Sequence, residues 1–410
     1  MSMKHVPHAA YLALGILAAC TPTDAPSPTA QTAATSPTVT SPATTSPAAV
    51  PDAEAAARIA AAGNVLFWTD QERAARFRDM EAIYPVITAT ADTAPRALPA
   101  GDPLAIDETE LADFMTAQNV AGLMVVKDGR VLLERYGLGM DADDRWTSFS
   151  VAKSFTSTLA GAAITDGHIA SLDDPVTRYI PDLAGSAYDD VSVEQLLTMT
   201  SGVRWNEDYT DPDSDVAKML SVPVPAGEDP VVAYMMTLPR EAEPGTKWVY
   251  KTGETNLVGT LVTRATGRSL ADYAEEKIVR PAGFAGDLHW MVDTAGNNIG
   301  GCCLSLRLAD YARFGQWVLE GGADLPADWF ARAGASQADI RRAPGYGYGY
   351  QWWTYPGEAF GAQGIFGQAV AIYPEDDMVV AMVANWSRAT GGGLREAQLA
   401  FFGRLRDAAE

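Results

Sequence analysis

Strand-like alternation of hydrophobic and polar residues marks the two ends of the folded region. Between Gly122 and Tyr136, two apolar runs flank an Asp128-Gly129 pair, the pattern of a β-hairpin closed by a tight turn. Strand-like runs return near the C-terminus, at 346–353, 367–373 and 378–384. Since strands of this kind pair with sequence neighbours through short turns, the pattern predicts antiparallel sheet.

Helical spacing dominates the middle of the chain. Val151, Phe155 and Leu159 recur at helical intervals, and Gly167 ends that run. Other predicted helices cover a lead-in at 54–83 and the segments 193–199, 257–265, 270–279, 308–319 and 394–405. The order predicts an α/β (α+β) fold, in which N- and C-terminal helices flank an antiparallel sheet and a helical lobe is inserted between its strands. A cleft is expected where lobe and sheet meet.

The N-terminus has the layout of a secretory signal. Lys4 precedes the apolar run 9–19, which ends at Cys20. The stretch Leu17-Ala-Ala-Cys20 resembles the lipobox of bacterial lipoproteins, in which the cysteine carries the lipid. A plain signal peptide with an incidental cysteine is the alternative. We therefore expect residues 1–20 to be a lipoprotein-type signal peptide with Cys20 as the lipidation site.

Composition divides the rest of the chain. Residues 21–53 are rich in Thr, Pro, Ser and Ala, which predicts a disordered linker, and residues 54–410 are expected to form one folded domain. The linker suits an enzyme anchored by lipid to the cell envelope and facing the periplasm. A net charge of -22 disfavours nucleic acid as a partner, so membrane contact is expected through the lipid anchor alone.

Ser150 and Lys153 are the first candidates for chemistry. They lie three positions apart in a predicted helix, so their side chains share one face. Thr147 or Ser148 as N-cap would place Ser150 in the first turn, where free backbone N–H groups favour a developing oxyanion. A buried lysine there could accept the serine proton. Taken alone, the pair fits an ordinary solvated helix face equally well.

Other catalytic patterns are absent from the sequence. It has no Gly-x-Ser-x-Gly, His-Glu-x-x-His or phosphate-binding loop. Two of its four histidines fall in the signal, His168 falls in a predicted turn, and His289 stands alone. Cys302 and Cys303 are adjacent and fit two buried thiols or a vicinal disulfide. We therefore expect neither a Ser-His-Asp site nor any metal or cofactor.

A second motif surrounds Tyr250, in Trp248-Val-Tyr-Lys-Thr-Gly-Glu-Thr-Asn256. A phenol in a loop beside a lysine could have a pKa low enough to carry a proton. Together with Ser150-Val-Ala-Lys153, this motif resembles the serine β-lactamase and penicillin-binding-protein superfamily, in its class C-like esterase branch. Four more stretches resemble the 6-aminohexanoate-dimer hydrolases: 183–189, 205–212, 351–353 and 364–368.

The resemblance implies roles for individual residues. Ser150 would be the acylated nucleophile, Lys153 its base, and Tyr250 the residue that passes the proton to the leaving group. The backbone N–H groups of Ser150 and Gln368 would form the oxyanion hole. Expected substrate-binding residues are Tyr209, Thr252, Trp352, Ile365, Phe366 and Gly367. For Tyr209, packing on the lobe surface is an equal alternative, and for Trp352 buried packing within the sheet.

Three departures from the family pattern bear on the substrate. Thr252 stands where many relatives have asparagine, and the third motif falls on Ile365-Phe-Gly367, which has no cation. A literal Lys251-Thr-Gly253 lies inside the tyrosine motif and is interpreted as unrelated to the third one. Without that cation, we expect an ester or linear amide substrate, as for a carboxylesterase or a 6-aminohexanoate-dimer-hydrolase-like amidase. The alternatives are a D-alanyl-D-alanine carboxypeptidase or β-lactamase and, in another class, a non-catalytic envelope ligand-binding protein.

Overall fold

The computed structural model describes residues 53–220, 222–225, 227–340 and 345–410. The predicted signal peptide, its Cys20 and all but the last residue of the predicted linker lie outside the described residues. They therefore stay predictions. In the part of the chain that is described, no helix combines the length and the apolar character needed to cross a bilayer.

A seven-stranded antiparallel sheet forms the centre of the fold. Its strands lie in the order β3-β2-β11-β10-β9-β8-β7. Their bounds are β2 Val120–Lys127, β3 Arg130–Tyr136, β7 Gly347–Tyr348, β8 Trp353–Thr354, β9 Phe360–Gln363, β10 Ala369–Tyr373 and β11 Met378–Ala384. The predicted hairpin at 122–136 is confirmed, and its first strand pairs with β11. The early and late parts of the chain thus share one sheet, as the sequence predicted.

A smaller sheet was not predicted. Its order is β1-β5-β6-β4, with bounds β1 Val86–Ala89, β4 Arg145–Thr147, β5 Leu288–Met291 and β6 Leu304–Arg307. The prediction of one strand over 346–353 was also wrong, because this segment contains only the two-residue β7 and the start of β8. Both errors concern runs of two to four residues, which are too short to show a period.

Helices pack on the sheet and build the inserted lobe. Their bounds are α1 Ala53–Ala62, α2 Asp70–Arg76, α3 Glu108–Ala117, α4 Ala152–Thr165, α5 Val193–Leu197, α6 Asp215–Lys218, α7 Pro230–Met235, α8 Thr252–Thr266, α9 Leu270–Ala274, α10 Arg280–Ala282, α11 Leu308–Leu319, α12 Trp329–Ala333 and α13 Leu394–Asp407. Nearly every residue of α4 is buried, and its Phe155 stacks on Phe314 of α11 at 3.8 Å between ring centroids. Helix α4 is therefore held rigidly at the centre of the fold.

The lead-in joins the far end of the chain. Arg73 of α2 is buried, and its side chain donates to the Asn385 side chain at 2.9 Å and to the Trp386 carbonyl at 3.1 Å. Its guanidinium also lies 4.6 Å from the centre of the Phe366 ring. These contacts fix the lead-in against the residues that follow β11 and against the loop that precedes β10.

Candidate active site

Ser150 lies on a strained turn at the start of α4. It occupies the 3₁₀ turn Phe149–Val151, and Phe149 adopts a left-handed φ of 43°, a conformation that non-glycine residues seldom adopt without support. Ser148 provides that support: its N–H donates to the Leu304 carbonyl at 2.7 Å, and its hydroxyl accepts from the Leu304 N–H at 2.8 Å. Strand β6 thus fixes the turn that presents the serine.

Lys153 is in direct contact with Ser150. Its Nζ donates to Ser150 Oγ at 3.1 Å and to the Gly301 carbonyl at 2.7 Å, and only 1% of the residue is exposed. Burial lowers the pKa of Lys153 to about 8, although the Glu207 carboxylate opposes the shift. A substantial fraction of neutral amine is therefore present near neutral pH, which is the form that can take a proton from serine.

The Gly300-Gly301 segment holds the Lys153 side chain in place. Its Gly301 N–H donates to the Asn256 side chain at 2.7 Å, so α8 orients the carbonyl that contacts Lys153. A Cβ on Gly301 would lie 2.9 Å from the Thr252 carbonyl, and one on Gly259 would lie 3.1 Å from Gly300 Cα. Asn256 and Gly259 of α8 therefore allow this helix to approach the Gly300-Gly301 segment closely.

Tyr250 faces the same pair from the loop before α8. Its ring centre lies 5.3 Å from Lys153 Nζ, and the ring stacks on Trp353 at 5.5 Å. Burial and the Glu207 carboxylate raise the pKa of Tyr250 well above its ordinary value, while a hydrogen bond with Ser150 and the charge of Arg395 lower it in part. The low pKa expected from the sequence was wrong, and Tyr250 is a protonated phenol at neutral pH.

Glu207 is the functional candidate that the sequence analysis missed. Its carboxylate accepts from the Thr252 N–H at 2.9 Å and from the Tyr209 hydroxyl at 2.8 Å, and also from the Thr252 hydroxyl and the Trp205 indole. The position at the N-terminus of α8 suits a negative charge. Because Glu207 acts electrostatically on both Lys153 and Tyr250, it helps to set the protonation of the site.

The loop Gly364–Gln368 passes beside the nucleophile. A Cβ on Gly364 would lie 3.2 Å from Ser150 N and 2.5 Å from the Ser148 carbonyl, so only glycine fits here. Gln368 was expected to supply an oxyanion N–H, but it is fully buried and its side chain ties the Ile365 carbonyl to Ala384. Within this loop, Gly364 and Ile365 line cavities at Ser150.

Three expected substrate-binding residues lie away from these cavities. Phe366 is buried against Phe77 and Phe149, and Gly367 packs on Trp386. Trp352 is 0% exposed and packs among Phe314, Phe330 and Phe360. This placement agrees with buried packing, the alternative to substrate binding for this residue. The neighbouring Trp353 lines a cavity instead, because successive strand residues point to opposite faces.

Two cavities meet at Ser150. The apolar cavity has a volume of about 410 Å³, and its wall is mainly aliphatic and sulfur-containing, with Leu66, Val216, Ala217, Met219, Leu220 and Met291 among its residues. The second cavity has a volume of about 440 Å³ and is called the polar cavity because the charged residues Glu207, Arg395 and Glu396 line it, together with the aromatic residues Trp248, Tyr250 and Trp353. Ser150, Tyr209 and Ile365 line both, while Thr252 lines the apolar one.

A cation does reach the third-motif loop, although the loop itself has none. Arg395 of α13 donates to the Gly364 carbonyl at 2.8 Å and lines the polar cavity. By contrast, Lys251 is buried and lies 3.4 Å from Glu254, away from the nucleophile. The interpretation of Lys251-Thr-Gly253 as unrelated agrees with this placement. The loop sequence alone could not show that Arg395, from a distant helix, lies at this cavity.

The described histidines lie elsewhere. His289, on β5 of the small sheet, has its Nδ1 3.1 Å from the Glu81 carboxylate. Burial would raise the pKa of Glu81, but the contacts with His289 and Arg145 outweigh it and lower this pKa to about 2. His168 follows α4 in an exposed turn. Neither histidine lines the cavities at Ser150, whereas Lys153 Nζ lies 3.1 Å from Ser150 Oγ. In the described part of the chain, no group of three or more ligand side chains is arranged to hold a metal ion.

Comparison with known proteins gives a consistent result. The beta-lactamase family model matches residues 108–403, which includes the serine turn, the tyrosine motif and the third-motif loop. A 6-aminohexanoate-dimer hydrolase from Paenarthrobacter ureafaciens is 29% identical over 304 residues, covering 70% of this chain and 77% of that protein. A lovastatin esterase from Penicillium rubens is 27% identical over 222 residues, 48% of this chain and 52% of its own.

Solved structures share the fold. A candidate 6-aminohexanoate-dimer hydrolase from Bacillus anthracis superposes with a TM-score of 0.71 at 21% identity, covering 84% of this chain and 96% of that one. An octameric penicillin-binding protein homologue from Pyrococcus abyssi gives a TM-score of 0.59 at 21% identity, covering 72% and 76% of the two chains. At this identity the similarity establishes the fold alone.

Proposed function

Because the chain belongs to the beta-lactamase family and is a hydrolase of that family, we propose that it cleaves an ester or a linear amide bond through an acyl-enzyme on Ser150. The observation that carries the proposal is the contact of 3.1 Å between Ser150 Oγ and the Nζ of a buried lysine. The names of the relatives span an esterase, an amide hydrolase and β-lactamases, and each of these activities transfers an acyl group.

Acylation begins when neutral Lys153 takes the Ser150 proton and Oγ attacks the carbonyl carbon. The oxyanion then forms beside the Ser150 N–H, where the helix start favours negative charge. For the second donor, the geometry favours the Ile365 N–H over that of Gln368, because Ile365 lines both cavities and follows the glycine that touches Ser150.

Tyr250 completes the reaction as a proton donor. Its raised pKa keeps the phenol protonated, so it can give its proton to the departing oxygen or nitrogen and recover one from Lys153. Water then attacks the acyl-enzyme by the reverse path, with Lys153 again as base. Glu207 keeps the lysine pKa from falling further, so that Lys153 holds the proton long enough to pass it on.

Covalent labelling tests this proposal. A serine-reactive phosphonate should add to Ser150 in the intact protein, and Ser150→Ala should abolish the adduct and ester turnover with no change in thermal unfolding. Thr252→Ala is not a suitable control because Thr252 lines the site, whereas Thr109→Ala on the exposed face of α3 is. Hydrolysis by the Ser150→Ala variant at an appreciable fraction of the normal rate would refute the mechanism.

Arg395 favours a second candidate within the same family. Its guanidinium in the polar cavity could pair with a carboxylate, and β-lactams and cell-wall peptides carry a carboxylate near the scissile bond. A stable adduct with labelled penicillin, or turnover of nitrocefin faster than of simple esters, would favour a penicillin-binding carboxypeptidase or β-lactamase.

A further inference from the structure

The two cavities at Ser150 differ in chemistry and have Ser150, Tyr209 and Ile365 in common. The apolar cavity is formed by the lead-in, through Leu66, and by the lobe, through Ala217 and Leu220. The polar cavity is formed by the tyrosine loop and α13, which contribute Tyr250 and Arg395. An ester or amide bound at Ser150 thus has one cavity available for each of its two halves.

Tyr250 distinguishes the two sides. It lines the polar cavity and is absent from the apolar wall, whereas Ser150, Tyr209 and Ile365 border both. A proton donor has to reach the heteroatom of the leaving group, so the leaving group belongs on the side of Tyr250. The acyl part, which stays bonded to Ser150 after the leaving group departs, is then left with the apolar cavity.

We infer that the apolar cavity is an acyl-chain site and the polar cavity a leaving-group site, so that the substrates are esters or amides of an apolar carboxylic acid longer than acetic acid, joined to a polar alcohol or amine. The inference rests on the proposed function, because Tyr250 assigns the sides only as the proton donor. Within the apolar wall, the Asp293 carboxylate accepts from the N–H groups of Ala295 and Asn297 at 2.8 and 2.9 Å. Its hydrogen bonds are thus made within its own turn, which leaves the cavity suited to hydrocarbon.

The size of the apolar cavity fits this assignment. Small-molecule sites occupy roughly 300 to 1,000 Å³, and about 410 Å³ is far more than an acetyl group fills. Each additional methylene that enters such a site is expected to raise kcat/KM about fourfold, until the chain meets the end wall. Chain length on the alcohol side should have no comparable effect, because that side opens among charged and aromatic groups.

Two matched ester series test the inference with the full-length protein. One series varies the acyl chain from acetyl to octanoyl with a constant alcohol, and the other varies the alcohol over the same lengths with constant acetyl. The acyl series should show rising kcat/KM and the alcohol series a nearly flat profile. A steep dependence on the alcohol chain with a flat acyl series would overturn the assignment.

Ala217→Phe narrows the apolar cavity from the lobe side. It should lower the octanoyl-to-acetyl ratio of kcat/KM at least tenfold and slow octanoyl deacylation in a burst experiment, since the acyl chain remains in place during that step. Ala112→Phe, on the exposed face of α3, is the matched control and should leave the ratio unchanged. Leu66→Trp narrows the cavity from the other wall and should act in the same direction, which covers the case in which Ala217→Phe folds poorly.

The outcomes separate this inference from the proposed function. If Ser150→Ala still hydrolyses the esters, the proposed function fails. If hydrolysis depends on Ser150 but Ala217→Phe changes selectivity in the alcohol series alone, the mechanism stands and the assignment of sides is overturned.

Discussion

Two buried lysines stand at the starts of two adjacent helices and have opposite surroundings. Lys153 in the first turn of α4 is 1% exposed and contacts a hydroxyl and a carbonyl. Lys251, the residue before α8, is 0% exposed and lies 3.4 Å from Glu254, which is equally buried. Lys251 thus forms an ion pair with Glu254, whereas Lys153 contacts neutral groups and has a pKa lowered by burial to about 8. Burial alone therefore does not identify a catalytic lysine.

The difference predicts that removing each lysine has opposite consequences. Lys153→Met should lower kcat for an ester about 10³- to 10⁴-fold, because the general base is lost. It should also stabilise the fold at pH 7 by about 1 to 3 kcal/mol, since the folded protein resists protonation of an amine whose pKa burial has lowered from 10.5 to about 8.

Unfolding in urea at several pH values checks the stability effect. Between pH 8 and 10.5 the unfolded chain binds the proton that the folded one has released, so the stability of the unmodified protein rises with pH there. The advantage of Lys153→Met should shrink over that range. Turnover by this variant within tenfold of normal would instead show that Lys153 is not the base.

Lys251→Met should produce the reverse pattern. It leaves the Glu254 carboxylate buried without its cation, which costs about 3 to 5 kcal/mol of unfolding free energy. Ser201 and Tyr188 still contact Glu254, so the fold should persist at low temperature with kcat per folded molecule within about threefold of normal. The double variant Lys251→Met/Glu254→Leu should recover most of the stability. A large fall in kcat without loss of stability would place Lys251 in the chemistry.

A smaller effect is expected from the carboxylate that acts on Lys153 without direct contact. Glu207→Gln keeps the shape and can still accept from the Thr252 N–H, but the negative charge that raises the Lys153 pKa is gone. Activity requires the neutral amine, so the rise of kcat/KM with pH should move to lower pH by roughly one unit.

Two other titratable or charged groups, Tyr250 and Arg395, line the polar cavity and can affect the same pH profile. Tyr250 faces Lys153 directly, and Arg395 acts on Tyr250 from α13. Both remain in the Glu207→Gln variant, but Glu207 also raises the pKa of Tyr250, so the loss of activity at high pH should move to lower pH as well. Asp208→Asn is the matched control, because that neighbouring carboxylate is exposed and bonded to Thr210. An equal shift in both variants would point to a general charge effect instead of a role for Glu207.

The sequence predicted what depends on local pattern. The hairpin at 122–136 and the helix at 308–319 follow from spacing within one segment, and the structure confirms both. The contact between Ser150 and Lys153 also follows from spacing in a single turn. Glu207 could not be found in this way, because its role arises only when the lobe brings it to the N-terminus of α8. Glu207 lies in the stretch 205–212, from which only Tyr209 was predicted to bind substrate.

The errors share a cause. Arg395 and Gly364 are 31 positions apart, and no local pattern links them, so the loop was judged by its own residues and found without a cation. Trp352 and Trp353 differ only in which face of the sheet they occupy, and a segment with so short a strand carries no alternation that could decide between them. Contacts between residues that are distant in the sequence can therefore be predicted only once the fold is known.

The pairing of β2 with β11 has a consequence for how the protein is made. Arg73 contacts Asn385, which lies 312 positions later in the chain. The central sheet is likewise complete only when the last strands, β10 and β11, are present. A chain synthesised from its N-terminus therefore exposes the β2–β3 hairpin as an unpaired edge until β11 arrives, and long-range pairing of this kind folds slowly. Because the loop Gly364–Gln368 directly precedes β10, a partly synthesised chain contains Ser150 and Lys153 but lacks one wall of both cavities. We therefore expect hydrolysis only from a chain in which this loop has been made.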